Sequence, residues 1–167
     1  MLACLISALS VTRIALAGGP PNVKPVAFLS IVSGMIGGAV FGFATGFLGM
    51  ASSDLFFGVG PWTLVTSCCM GMVGFLGGVF AHFDIGSSRV RLGILGFALT
   101  ALYDLSTSIL LAWFFSYSWW LSILLLYLPY VGGLAYPFGL VHELTTAILL
   151  SLAGPPLIRQ SRRFITR

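Results

Sequence analysis

The chain has 167 residues, of which 58% are hydrophobic and only 7% charged, and its formal net charge is +4. A soluble domain keeps about a quarter of its residues charged, so this composition excludes a water-covered globule and assigns the chain to lipid. The positive balance does not point to nucleic acid, because the basic residues sit at the ends of apolar segments, where they mark a membrane face.

About twenty apolar residues cross a bilayer as a helix, and the apolar runs here are continuous rather than alternating, which argues against a transmembrane β-barrel. A first helix is expected over residues 2–17, closed by Gly18-Gly19-Pro20-Pro21. Its charge, Arg13, follows the apolar stretch instead of preceding it, so the segment reads as a retained helix and not a signal peptide. A short polar loop, Pro21 to Pro25, comes next. As a single helix, residues 26–53 would be about 40 Å long, well over the hydrocarbon thickness. The pair Gly37-Gly38 offers a break, giving helices over 26–36 and 38–53.

Residues 54–63 read as a loop leading into a helix over 62–83, and Asp84 to Arg91 as a polar turn before a helix over 92–115. Residues 116–137 are aromatic and broken by Pro129, Gly132-Gly133 and Pro137. A last helix covers 138–153, and 154–167 form a basic tail with Arg159, Arg162, Arg163 and Arg167. If the 26–53 block splits, Arg89, Arg91 and the tail share one face with the N-terminus, as the positive-inside rule prefers. The expected architecture is a single all-α transmembrane domain, 1–167, a six-transmembrane-helix bundle with both termini cytoplasmic.

Glycines at 34, 38, 42 and 46, and at 71, 74 and 78, are spaced to lie on one helix face. Such faces serve mainly for close helix packing in lipid. Cys4, Cys68 and Cys69 match no metal or redox spacing and read as small packing residues, so no metal site is expected.

Charges at membrane depth are costly and are usually functional or paired. Asp104 lies about half-way along the fifth helix, beside Tyr103, and His142-Glu143 lies one turn into the last. These residues suit either substrate coordination or an interhelical pair, with Arg13 as one available partner. His142-Glu143-Leu144-Thr145-Thr146 lacks the second histidine of a zinc-protease motif, and no nucleophile stands at catalytic spacing. Catalysis therefore finds no support. On the face opposite the arginines the topology collects Asn22, Lys24, Asp54, Phe56, Trp62, Tyr130 and Tyr136. Aromatics with a few convergent polar groups are what a small-molecule pocket needs.

Six short helices, an outward loop after the first and basic cytoplasmic ends resemble the S component of an energy-coupling factor (ECF) transporter, the substrate-binding membrane subunit of vitamin importers. The resemblance is carried by Pro21-Asn22-Val23-Lys24-Pro25, by Phe56-Phe57-Gly58-Val59-Gly60-Pro61-Trp62-Thr63, by Tyr103-Asp104-Leu105, and by the His142 helix ending in Pro155-Pro156-Leu157-Ile158. It implies a vitamin or related micronutrient bound at the outer side of the cell membrane, with cobalamin the first candidate, and release inward by toppling of the whole subunit. The substrate-binding residues it implies are Asn22, Lys24, Asp54, Phe56, Trp62, Tyr103, Asp104, Tyr130, Tyr136 and His142. The partners it implies are a transmembrane coupling subunit and two cytoplasmic ATPases. ATP would be used by those ATPases, since this chain has no phosphate-binding glycine loop and is expected to bind no cofactor. Family members dock the coupling subunit through an Ala-x-x-x-Ala face on the first helix; Ala3-x-x-x-Ser7, with Ala8 alongside, is the nearest match here. The alternatives are a solitary proton-linked transporter or channel, with Asp104 and Glu143 as its carboxylates, and a membrane scaffold whose glycine faces bind only helices.

Overall fold

The computed structural model describes residues 1–83, 86, 88–128, 130–131 and 134–165, with the side chains of 130, 131, 134, 135 and 162–165 outside that description. Seven α-helices are found among the described residues: α1 (Leu2–Ala15), α2 (Val26–Gly37), α3 (Ala39–Phe57), α4 (Pro61–Phe80), α5 (Arg89–Phe114), α6 (Trp119–Tyr127) and α7 (Phe138–Ile165). A 3₁₀ turn at Ala81–Phe83 extends α4. Tyr130–Val131 and Leu134–Ala135 pair as two short antiparallel strands, β1 and β2. Four stretches are long and apolar enough to cross a membrane: Ala39–Phe57, Pro61–Phe83, Arg89–Phe114 and Phe138–Ser161. The apolar helices α1 and α2, with 14 and 12 residues, are shorter. At 1.5 Å per residue they reach only about two-thirds of a hydrocarbon core of about 30 Å.

The break between α2 and α3 is one residue wide. Gly38 sits at φ +91°, a backbone conformation that only glycine adopts without strain. The chain reverses there, so that Gly34 and Gly42 face each other on either side of the turn. Both then meet Gly74 of α4, and a methyl group on Gly34, Gly42 or Gly74 would run into backbone. With little hydrophobic drive between helices in lipid, this close approach supplies dispersion contact that larger residues would forbid. The spaced glycines thus belong to the packing of α2, α3 and α4. Alongside them, a core of Ile31, Met35, Met70, Val73, Leu92 and Leu150 extends through the bundle to Ile158.

Three boundaries differ most from those read off the sequence. The α3 helix runs on through Asp54 to Phe57, because Asp54 is buried and its carboxylate is held by Arg13 of α1. The α5 helix begins at Arg89 instead of 92, with Ser88 as its N-cap accepting from the Arg91 N–H. Most notably, α7 does not stop at 153 but continues to Ile165 through Pro155 and Pro156. Each proline removes one backbone donor, which neighbouring groups can offset in a membrane helix. Ile158, 2% exposed, packs into the core and holds that extra length in place. The aromatic stretch 116–137 also contains a helix that its prolines and glycines obscured, the nine-residue α6. Arg162, Arg163 and Arg167, and Asp84 of the polar turn, lie outside the described side chains.

Candidate substrate site

One end of the bundle is tied together by polar contacts. Arg13, near the C-terminal end of α1, donates to the Ser53 hydroxyl and to Asp54 Oδ1 near the C-terminal end of α3. Its guanidinium also lies 5.1 Å from the centre of the Phe57 ring. The loop after α1 reaches across to the start of α7. There Asn22 Nδ2 donates to the Phe138 carbonyl at 2.9 Å, and the Tyr136 hydroxyl donates to the Pro21 carbonyl at 2.8 Å. Asn22 holds φ 60°, a left-handed conformation that asparagine tolerates better than most residues. The α4 helix enters the same end through Pro61 at its first position, with the Gly60 N–H donating to Thr63 Oγ1.

Beneath this strapping lies a cavity of about 170 Å³. Its polar wall is made by Arg13, Asn22, Lys24, Asp104 and His142, and its remaining wall by Val26, Met50, Met70 and Tyr103. The lining comes from α1, the following loop, α2, α3, α4, α5 and α7, so the cavity exists only once the bundle is assembled. Lys24 has no ion-pair partner among the described residues. Partial burial, and then the neighbouring Arg13 charge, hold its ammonium below the ordinary lysine range. His142 Nδ1 lies 3.1 Å from both Oδ1 and Oδ2 of Asp104, and its ring meets Tyr103 edge-on at 5.9 Å. Tyr103 is also part of a second, apolar cavity of about 350 Å³ between α4 and α5. Cys68, Cys69, Met72 and Leu110 are among its other walls.

Of the residues proposed from sequence, the structure gathers Asn22, Lys24, Tyr103, Asp104 and His142 at one cavity. Four others stand apart from it. Asp54 is locked to Arg13 instead of facing the cavity, and Phe56 and Trp62 are exposed, with the Trp62 ring folded over Gly60. Tyr136 spends its hydroxyl on the loop carbonyl of Pro21. The side chain of Tyr130 lies outside the described residues. Arg13, Val26, Met50 and Met70 escaped the sequence reading as wall residues. For Arg13 a signal existed: two isolated charges of opposite sign, Arg13 and Asp54, in otherwise apolar segments. Arg13 therefore pairs with Asp54 and not with Asp104 or Glu143, whose own partners are His142 and the Tyr127 hydroxyl at 2.7 Å.

A family model described as the ECF-type riboflavin transporter, S component, matches residues 1–162. The chain belongs to this family. Neither a curated protein nor a solved structure matches it. As an ECF S component it is the substrate-binding membrane subunit of a transporter, not an enzyme, and it works with an ECF module of ATPases and a transmembrane coupling protein. The strapped cavity is polar on one side, enclosed by loop and helix ends, and lined from six of the helices.

Proposed function

We propose that this S component binds riboflavin or a close flavin relative at the Lys24–His142 cavity and delivers it across the cell membrane. The observation that carries the reading is the pairing of two cavities through Tyr103. The polar one, about 170 Å³, is smaller than a typical small-molecule site, and the apolar one beside it, about 350 Å³, falls within the usual range. A tricyclic flavin is polar at its pyrimidine edge and apolar at its dimethylbenzene edge. Displacement of the Tyr103 ring joins the two spaces and gives each edge the surroundings that suit it. Cobalamin, the first candidate from sequence, is far larger than the two spaces together.

The strapped end is the outer face in this reading, and the six apolar helices α1–α5 and α7 cross or enter the bilayer with both termini cytoplasmic. The N-terminal half of α1 supplies the surface for the coupling subunit. Ala3 and Ser7 are exposed one turn apart, with Ala8 half-buried beside them, so a partner helix can approach closely. Two ATPases behind that subunit drive toppling and inward release.

Titration of the purified subunit in detergent with riboflavin, read by quenching of flavin fluorescence, tests the reading. Saturable one-to-one quenching that cobalamin does not compete away is expected. Absence of flavin binding by a folded sample, or displacement by cobalamin at equal concentration, would refute it.

A further inference from the structure

Asp104 and His142 face each other across the α5–α7 interface, each less than a tenth exposed. Both carboxylate oxygens lie 3.1 Å from the same imidazole nitrogen, Nδ1. A protonated carboxyl donating to a bare Nδ1 would do so from one oxygen and bring that oxygen closer than its twin. Two equal distances fit a single Nδ1–H directed between two accepting oxygens. A neutral imidazole with its proton on Nδ1 has a bare Nε2, which can only accept. Nε2 has no hydrogen-bond partner among the described residues, and His142 lines the cavity. The two cationic groups on the same wall, the Lys24 ammonium and the Arg13 guanidinium, can only donate. The wall thus sets an oriented imidazole acceptor beside these donors, with the Asn22 side-chain oxygen as a further acceptor.

We infer that Asp104 is a positioning residue that holds His142 in its Nδ1–H tautomer, so that Nε2 accepts a hydrogen bond from a ring N–H lying between two carbonyl groups of the substrate. This inference rests on the flavin reading for the identity of the ring. In a flavin that N–H is the imide N3–H, and its flanking carbonyls are the acceptors that Lys24 and Arg13 complement. Asp104, with both oxygens turned to His142 Nδ1, acts on the substrate through that ring. It selects by deciding which protonation pattern His142 displays, and a ring with a bare or alkylated nitrogen at that place meets an acceptor with nothing to accept.

The tautomer is measurable without any ligand. Histidine is labelled with 15N in the intact protein, with His82→Gln removing the other histidine signal. A protonated Nδ1 and an unprotonated Nε2 are expected, and a proton on Nε2, in the other neutral tautomer or in an imidazolium paired with Asp104, overturns the inference whether or not flavin binds. A second arm compares riboflavin with N3-methylriboflavin. The wild type should prefer riboflavin by about thirtyfold or more, a value typical of losing a hydrogen bond to a buried polar group. In Asp104→Asn, whose amide can donate as well as accept, the preference should shrink to a few-fold, because riboflavin weakens while the methylated analogue does not. The steric effect of the methyl group is common to both proteins and cancels in that comparison. Equal affinity of the wild type for the two flavins overturns the inference while leaving flavin binding intact. An unchanged preference in Asp104→Asn overturns the role of Asp104. His142→Phe, which keeps an aromatic ring and removes Nε2, tests the contact itself: its preference should also shrink to a few-fold, and an unchanged preference overturns the inference even where Asp104→Asn does not fold.

Discussion

Where α3 crosses α4, Gly42 and Gly74 bring two backbones into direct contact; where α5 meets α7, the contact runs through Asp104 and His142. At that first crossing the groups in contact are backbone, with no side chain to move aside. The second, beside its own glycine and leucine packing, carries a pair of side chains whose alternative is an unpaired polar group in a buried setting. Lipid makes both solutions workable for different reasons. Dispersion between close backbones needs no solvent to drive it, whereas a buried charge is stabilised only by its partner. The comparison separates two jobs within one bundle. The α2–α3–α4 layer is a rigid frame, and the charged residues of α1, α5 and α7 shape the site that the frame supports.

The sharpest way to break that division is to separate the frame. Gly74→Leu would place a branched side chain where the carbonyl of Gly42 lies, and the obstacle is backbone, not the end of a flexible side chain. Overpacking of a well-filled core costs about 1–3 kcal/mol when side chains can adjust. Here more than about 3 kcal/mol is expected, enough to abolish a monodisperse peak in detergent. Gly18→Ala, at a position with open space around it, should leave the peak unchanged. A monodisperse Gly74→Leu protein would show that the frame is softer than its geometry implies.

A smaller loss should follow from breaking the polar anchor of α1. Asp54→Ala leaves the Arg13 guanidinium with the Ser53 hydroxyl and the face of Phe57 but without its counter-ion. Removing one member of a buried ion pair costs about 3–5 kcal/mol. Arg13 retains some solvent contact, so about 3 kcal/mol is expected, read as a lowered midpoint in mixed-micelle SDS unfolding. Replacing the pair with apolar residues of similar size, Arg13→Met with Asp54→Leu, should recover most of that stability. It should not recover substrate binding, because Arg13 is part of the cavity wall. If the double variant is as unstable as Asp54→Ala, the loss comes from something other than an orphaned charge.

Much of this division is written in local sequence. The glycine spacing displays the frame, and a glycine pair marks the one-residue reversal at Gly38, since φ +91° is a demand on residue type that a sequence can meet visibly. Asp104 and His142 stood out because charged and titratable residues are rare in these segments. Their partnership did not, because it joins residues 38 positions apart on two helices whose rotation is set by packing. The same blindness placed Asp54 in an outer loop, although it completes a helix under tertiary control. It also ended α7 at Gly154-Pro155-Pro156, where burial of Ile158 outweighs the two missing donors. Aromatic content misled in a similar way: Phe56 and Trp62 resemble pocket walls in composition but lie on the exposed surface. What the chain hides is the rotation of each helix, and rotation decides which side chains meet.

The finest test of the comparison lies in the loop that covers the site. Asn22 and Trp62 were both proposed as substrate contacts on sequence grounds, and the structure places them differently. Asn22 lines the cavity and clamps the loop to α7 through its bond to the Phe138 carbonyl, whereas Trp62 is folded over Gly60 away from the cavity. Asn22→Gly keeps the left-handed backbone free of strain and removes the clamp together with one polar group of the cavity wall, so its cost to stability should stay near the ~1 kcal/mol of a single hydrogen bond. Flavin affinity should fall about three- to tenfold, mostly through faster release, because the loop no longer stays closed over the cavity. Trp62→Ala should leave both affinity and release rate unchanged. Stopped-flow displacement of bound riboflavin distinguishes the two variants directly. Equal release rates would mean that the loop takes no part in retention and that the assembled helices alone hold the substrate. Faster release from Trp62→Ala than from Asn22→Gly would move the entrance of the site from the α1–α2 loop to the start of α4.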